Sequence, residues 1–258
     1  MEFPEIINQE EKAMTSISEE IKTLESPIDV MYLMHKAYMI HSNRTVSLAE
    51  KAMSGGSLTE LQANLEGWLK HLLYHAQTED IYMTGPLKDI EHQDGRRPAR
   101  DNEKEHDELR LLGGGIADYV EKGDKGALSE DIAALVLSRE EEEHANLVHK
   151  AENAERALHQ ALGEARVVDR TRRRLYQKIV EFQVTEFDHF ENEEAFVLPL
   201  VKGQMSAEQE LECSRRLLFD DDSETTRWII DFIYNELESG ERELLKQLES
   251  SFSGPAPT

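Results

Sequence analysis

Two segments of the chain place a glutamate one helical turn after a histidine. The first is His75-Ala-Gln-Thr-Glu79 and the second is His189-Phe-Glu-Asn-Glu193. Residues at positions i and i+4 of an α-helix share a face, so each segment would direct an imidazole and a carboxylate to the same side. Each lies on an apolar stripe and precedes a proline, Pro86 or Pro199, that is expected to stop its helix. Two such segments predict ligands for two metal ions.

The elements that must position these side chains are predicted to be helices. The chain has 258 residues, 39% of them hydrophobic and only seven of them proline, and no strand-like alternation persists along it. This composition predicts a globular protein of the all-α class with a sizeable core. The formal net charge of -24 disfavours nucleic acid and anionic membranes as partners. One cysteine, no transmembrane run and no leader sequence predict a soluble, cytoplasmic protein.

Local start and stop signals predict four long helices. Ser26-Pro27 opens the first, Ser54-Gly55-Gly56 closes it, and a capping box at Ser57 opens the second. The second ends at Gly85-Pro86, the third runs from about Ser129 to Leu162, and the fourth from about Asp169 to Leu198-Pro199. Two further amphipathic helices are predicted at Ala207 to Phe219 and Glu224 to Leu248.

These helices predict an up-down-up-down four-helix bundle with additions. The predicted parts are an acidic extension at 1–26, the bundle at 27–201, an insertion or lid at 87–127 between the second and third helices, extra C-terminal helices at 202–252 packed on the bundle, and a disordered tail at 253–258.

Four histidines fall at one height in such a bundle. His35 precedes Met53, at the end of the first helix, by the same interval at which His75 follows Ser57, at the start of the second. In the other hairpin, His144 precedes Leu162 by that interval again, and His189 follows the start of the fourth helix, at Asp169 to Thr171, by nearly the same distance along the chain. Residues equally distant from the connecting loops meet in one layer, so the four imidazoles are expected to converge.

This constellation resembles the hemerythrin-like family, whose members carry the HHE cation-binding domain. The resemblance covers about residues 27 to 201, and its most specific elements are the two His-x3-Glu segments that close on Gly-Pro-Leu and Leu-Pro-Leu. It implies a four-helix bundle that holds two iron ions, with an oxo or hydroxo bridge between them. The implied ligands are His35, His75, Glu79, His144, His189 and Glu193. Spacing alone would suit manganese or zinc as well as iron.

Such a ligand set would leave room for chemistry. Four imidazoles, two bridging carboxylates and an oxygen bridge make each ion five-coordinate and leave one open position on each. Dioxygen, peroxide or nitric oxide could bind there, inside an apolar shell that includes Trp68, Phe182, Phe190 and Phe196. No catalytic residue is predicted beyond the metal ligands.

Two alternative ligands remain open. The family's oxygen carriers have a histidine one turn before the third-helix ligand, where this chain has Glu140, and an aspartate where it uses Glu193. Glu140 is nevertheless expected to be solvated, because it lies in an acidic run. His106 is the alternative to His144 as the third-helix ligand. If His106 were the ligand, the fourth helix would point opposite to the second, and the two His-x3-Glu segments would no longer be parallel. The remaining helical histidines are predicted to face solvent: His41, His71, His149 and His159.

Three classes of function follow. The first is a di-iron oxidoreductase that activates dioxygen or peroxide, and the second is a module that senses or stores iron, oxygen or nitric oxide. The third is a structural bundle that takes zinc. The open positions favour the first two, with a small gaseous or small-molecule ligand as the partner.

Overall fold

Helices form every regular element of the protein that the computed structural model describes, at residues 17–87, 130–164 and 166–252. The all-α prediction is therefore confirmed for these residues. The α-helices are α1 (Val30–Met53), α2 (Leu58–Thr78), α3 (Glu130–Gly163), α4 (Asp169–Asn192), α5 (Leu198–Gln204), α6 (Ala207–Leu218), α7 (Trp228–Glu236) and α8 (Ser239–Ser251). A 3-10 turn at Pro27–Asp29 precedes α1, and π-helices follow α2 at Glu79–Thr84 and α4 at Glu193–Val197.

Some predictions lie outside the described residues. They are the insertion from residue 88 onward, His106 within it, most of the N-terminal extension and the tail at 253–258. Of the helices within the described ranges, none is long and apolar enough to cross a membrane.

The ends of α1 and α2 follow the predicted signals. Asp29 accepts hydrogen bonds from the backbone N–H groups of Glu25 and Ser26, at 2.6 and 2.9 Å, and fixes the entry to α1. At the other end Gly55 adopts a φ of 96°, a left-handed conformation that glycine enters without strain. The Ser57 hydroxyl then accepts from the Glu60 N–H and caps α2.

The predicted helix stops at the two prolines are wrong. The chain stays helical through Gly85, Pro86 and Leu87, where the first described range ends. Pro199 occupies the first turn of α5, which continues without a break from the π-helix after α4 and ends only at Gln204. In both places a π-helical turn precedes the proline.

The four long helices pack in a closed ring, α1 on α2, α2 on α3, α3 on α4 and α4 on α1. Large apolar side chains fill the centre, and the rings of Trp68 and Phe182 stack there with centroids 4.2 Å apart. Most of α1 is buried on every side, including Lys36, because further helices cover its outer face.

Those covering helices are α7 and α8, which pack on α1, while α6 packs on α2 and on the turns at Pro27–Asp29 and Glu79–Thr84. The single helix predicted from Glu224 to Leu248 is interrupted, because Leu237 and Glu238 are extended and Glu238 caps α8. The segment from Asp220 to Asp222, before α7, is a turn in which the Asp220 carboxylate accepts a hydrogen bond from the Trp228 indole N–H at 2.9 Å.

Candidate metal centre

One side chain from each of the four long helices contributes an imidazole to the centre of the bundle. His35 lies on α1, His75 on α2, His144 on α3 and His189 on α4, and all four are buried. Three carboxylates are buried beside them: Glu79, Glu193 and Glu140. The structure thus brings together all six residues that the sequence singled out, and it adds Glu140.

The first of two ligand clusters consists of His35, His75, Glu79 and Glu193, each offering one nitrogen or oxygen within 4.8 Å of the others. The Nε2 atom of His35 lies 3.1 Å from Oε2 of Glu193, and Nε2 of His75 lies 2.8 Å from Oε1 of Glu79. Two imidazole nitrogens and two carboxylate oxygens therefore face one point.

The second cluster consists of Glu79, Glu140, His144 and His189, again within 4.8 Å. Nε2 of His144 lies 3.3 Å from Oε2 of Glu79 and 2.9 Å from Oε1 of Glu140. Glu79 belongs to both clusters, with one oxygen beside His75 and the other beside His144. That is the arrangement of a carboxylate that bridges two ions.

The polar atoms that face inward fit metal ions better than they fit one another. Among the described residues, none makes a hydrogen bond to either carboxylate oxygen of Glu79 or Glu193, or to Nε2 of any of the four histidines. A buried polar atom without a partner costs about 1–3 kcal/mol, and native proteins contain few of them. Imidazole and carboxylate donors at this density are the donors that iron, manganese and zinc prefer.

Outer carboxylates hold the opposite sides of the imidazole rings. Nδ1 of His35 lies 2.7 Å from Glu194, and Nδ1 of His144 lies 3.1 Å from Asp80. Glu143 lies 3.5 Å from Nδ1 of His189. A carboxylate at Nδ1 keeps the ring proton there and turns the Nε2 lone pair inward, as is typical of metal-bound histidines.

Without a bound cation, the histidines and glutamates of the site cannot all keep their ordinary pKa values. Burial opposes a charge on His35, but the neighbouring carboxylates of Glu193 and Glu194 raise its pKa to about 10. Burial and the charge of Glu79 raise the pKa of Glu193 to about 8. In Glu79 burial is outweighed by His75 and His144, which hold its pKa well below the usual range. Two carboxylates in one buried site cannot both ionise cheaply, and a metal cation removes that conflict.

An aromatic wall and two cavities border the clusters. The Phe190 ring stacks on His35 at 4.1 Å, and the Tyr38 ring lies 5.0 Å from that of His75. A cavity of about 10 Å³, enough for one water molecule, adjoins Glu140 and Glu143. An open groove of about 350 Å³ runs past Phe190 and Glu194, behind His35.

Several predictions about polar side chains are wrong. Glu140, expected in solvent, is 1% exposed. His41 and His71 are buried rather than solvent-facing, because α7 covers them, and the His71 ring stacks on Phe232 at 3.8 Å. The expected exposure of His149 and His159 is confirmed.

Comparison with known proteins agrees with this geometry. Residues 26–140 match the family model of the hemerythrin HHE cation binding domain. The matched segment includes His35, His75 and Glu79 and ends at Glu140, so His189 and Glu193 lie beyond it. No curated protein and no solved structure matches the chain. The resemblance inferred from the sequence is thereby confirmed over residues 26–140, which are similar to the hemerythrin HHE cation binding domain.

Proposed function

We propose that this chain is a non-haem di-iron protein that binds and activates dioxygen or a related small ligand such as peroxide or nitric oxide. The observation that carries the proposal is the pair of four-residue clusters that share Glu79. Their inward nitrogen and oxygen atoms lack hydrogen-bond partners among the described residues, and two cations would satisfy them together.

The proposal extends to the architecture. We take α1 to α4 as an up-down-up-down bundle over 27–201, with 202–252 as a layer on its outside. The closed ring of helix contacts and the packing of α6, α7 and α8 support this arrangement. A reducing, cytoplasmic setting is part of the proposal, in keeping with a sequence whose single cysteine, Cys213, cannot form an intramolecular disulfide.

The ligands divide unequally between the two ions. His35 and His75 would hold one ion, while His144, His189 and Glu140 would hold the other. If Glu79 and Glu193 bridge, the ion beside His35 has one protein donor fewer, so an open position is expected on that side. When bound, iron in this donor set would supply redox chemistry in which each ion gives up or takes up one electron.

The chain's own residues would prepare the site for that chemistry. Glu194 and Asp80 keep a proton on Nδ1 of His35 and His144, which leaves Nε2 of each ring free to bind a metal. Phe190 packs against His35 and limits the entry of water.

The test is anaerobic loading with ferrous iron, followed by exposure to air. We expect two irons per chain and a visible absorption band from oxidised iron after exposure. His75→Ala and Glu193→Ala should bind fewer than two irons. His159→Ala, which changes an exposed histidine of α3, should still bind two. Full occupancy in both ligand variants would refute the assignment.

A sensing or storage role is the second candidate. Lys36, which follows His35, forms a buried ion pair with Glu241 of α8, so a metal-dependent shift of α1 would reach the C-terminal helices directly. A band that appears in air and reverses under vacuum would favour binding without turnover, and irreversible oxidation with turnover would favour an oxidoreductase. Tight zinc binding in the absence of iron uptake would indicate a structural site.

A further inference from the structure

Aromatic rings form a continuous path from the candidate metal centre to the protein surface. The centroid of the Tyr38 ring lies 5.0 Å from that of His75, and the Phe232 ring stacks on Tyr38 at 5.8 Å. His71 stacks on Phe232 at 3.8 Å, and the Trp228 ring lies 4.7 Å from His71. His75 and Tyr38 are fully buried, whereas Trp228 is partly exposed. The path therefore begins at a member of the first ligand cluster and ends in contact with solvent.

The C-terminal layer supplies the middle and the outer end of this path. Phe232 and Trp228 both lie on α7, which packs on α1, while His71 lies on α2. The Tyr74 ring lies 5.0 Å from Trp228 and widens the outer end. Phe, Trp and Tyr make up only 7% of the chain, so a continuous series of rings across three helices is not what packing at random would give. Electron transfer through protein slows steeply as the gap between groups grows, and every gap in this path is short.

The surroundings of Trp228 suit a reversible one-electron oxidation. Its indole N–H donates to Oδ2 of Asp220 at 2.9 Å, and Nζ of Lys70 lies 3.9 Å from the centre of the ring. The ammonium charge opposes a positive charge on an oxidised indole, and the carboxylate is placed to take the N–H proton. Oxidised Trp228 would therefore be a neutral radical whose proton is held by the partly exposed Asp220.

Tyr38, which is nearer the centre, has no such proton acceptor. Its hydroxyl group is buried and makes no hydrogen bond to a described residue. A phenol that is oxidised without losing its proton leaves a buried positive charge, which is costly. The rings of Tyr38 and Phe232 therefore serve as the medium through which an electron passes, and Trp228 is the residue that is itself oxidised.

Complete reduction of dioxygen needs more electrons than two ferrous ions give. Reduction of dioxygen to two water molecules breaks the O–O bond and consumes four electrons and four protons. Two ferrous ions, each oxidised by one electron, supply two of those electrons, and with two alone the product is hydrogen peroxide. The other two electrons must reach the buried centre from a donor outside it.

We propose that Trp228 is the point at which electrons from a small external reductant enter the protein on their way to the metal centre. In each transfer Trp228 gives one electron to the centre through the rings of Phe232 and Tyr38. Its N–H proton passes to Asp220, and the proton returns when the reductant restores the electron to the indole. Two such transfers complete the reduction of one dioxygen molecule, and solvent supplies the four protons. The proposal rests on the proposed di-iron function, and the reductant is a soluble one-electron donor of the ascorbate class.

The first arm of the test uses metal-free protein and a soluble photo-oxidant, a ruthenium polypyridyl complex with persulfate. A laser flash should produce a neutral indole radical in the wild type. Trp228→Phe should abolish it, because the other tryptophan, Trp68, is fully buried. Asp220→Asn should instead give the protonated radical cation first, because the carboxylate that takes the proton is gone. An unchanged radical in Trp228→Phe, or a neutral radical formed equally fast in Asp220→Asn, would overturn the proposal.

The second arm uses protein loaded with two ferrous ions and exposed to dioxygen with excess ascorbate. Wild-type protein should release no hydrogen peroxide. Trp228→Phe and Phe232→Leu should bind two irons and oxidise them, but should release one hydrogen peroxide per dioxygen because the outside electrons no longer arrive. Phe232→Tyr, which keeps a ring in the path, should restore the wild-type product. Phe187→Leu, which changes a partly buried aromatic residue outside the path, should behave as wild type.

The outcomes distinguish this inference from the proposed function. Normal iron oxidation with no peroxide release in Trp228→Phe and Phe232→Leu would overturn the inference alone. Peroxide release by wild-type protein that takes up and oxidises iron normally would do the same. Failure of the wild type to take up iron, or to oxidise it in air, would overturn the proposed function with it.

Discussion

A buried ion pair between Lys36 and Glu241 joins α1 to the C-terminal helix α8. Lys36 is 1% exposed and Glu241 is fully buried, and their Nζ and Oε1 atoms lie 2.5 Å apart. Nζ also donates to the carbonyl oxygen of Glu19 at 2.6 Å. Glu241 further accepts from the backbone N–H groups of Ile21 and Glu238, at 3.0 and 3.2 Å.

Glu241→Gln tests how much this contact stabilises the fold. The amide oxygen can still accept hydrogen bonds, but the buried Lys36 ammonium group would lose its negatively charged partner and would face only neutral oxygen atoms. Removing one member of a buried ion pair costs about 3–5 kcal/mol. In a chain of this size each kcal/mol shifts Tm by about 2–4 °C, so Tm should fall by about 6–20 °C. Urea unfolding and thermal melting followed by circular dichroism would measure both quantities.

The measurement needs two comparisons. It should use metal-free protein, because bound metal adds stability of its own. Glu243→Gln changes an exposed glutamate of the same helix, 4.0 Å from Lys246, and should cost about 0–1 kcal/mol. The double variant Lys36→Met/Glu241→Met should recover much of the loss, because it leaves no buried charge unpaired. If Glu241→Gln is no more destabilising than Glu243→Gln, the buried pair does not stabilise the fold as argued.

Two further predictions concern single carboxylates. Glu140→Ala should reduce bound iron from two ions to one per chain, because Glu140 belongs only to the second cluster. Iron analysis would measure this, with Glu142→Ala, which changes an exposed glutamate of the same helix, as the control. Two irons per chain in Glu140→Ala would exclude Glu140 as a ligand. Burial opposes ionisation of Glu236, but hydrogen bonds from His41 and Arg44 lower its pKa to about 2 from an ordinary value of 4.5. Its contribution to folding stability is therefore present above about pH 4.5 and lost as the pH falls towards 2. When the free energy of unfolding is measured at a series of pH values, Glu236→Gln should make it depend less on pH in this acidic range. An unchanged dependence on pH would contradict the argument.

The layer of four histidines could be predicted because helix geometry is regular. Equal distances from two connecting loops fix the height of His35 and His75 in one hairpin and of His144 and His189 in the other, whatever the rest of the core contains. Glu140 escaped this reasoning because the acidic run around it suggested a solvated face. Its spacing held the clue, since it lies four residues before His144 on the same face, the mirror image of a His-x3-Glu pair.

The burial of His41 and His71 could not be predicted from local periodicity. Both lie on the outer faces of α1 and α2, where a four-helix bundle alone would leave them in water. A helix that comes much later in the chain, α7, covers them and supplies Phe232 and Glu236 as their partners. Tertiary packing of this kind leaves no trace in the sequence around the histidines.

The two π-helices explain why a reliable local rule failed where the ligands lie. A proline lacks the N–H group of an α-helix and crowds the carbonyl oxygen four residues earlier, which for Pro86 and Pro199 falls inside a π-helix that starts at Glu79 or Glu193. The wider turn moves that oxygen away, and the Leu198 N–H bonds instead to the carbonyl of Glu193, five residues back. The helix therefore continues past the proline. π-helical turns are frequent at functional sites. The two π-helices among the described residues are therefore themselves an indication of where the chemistry takes place.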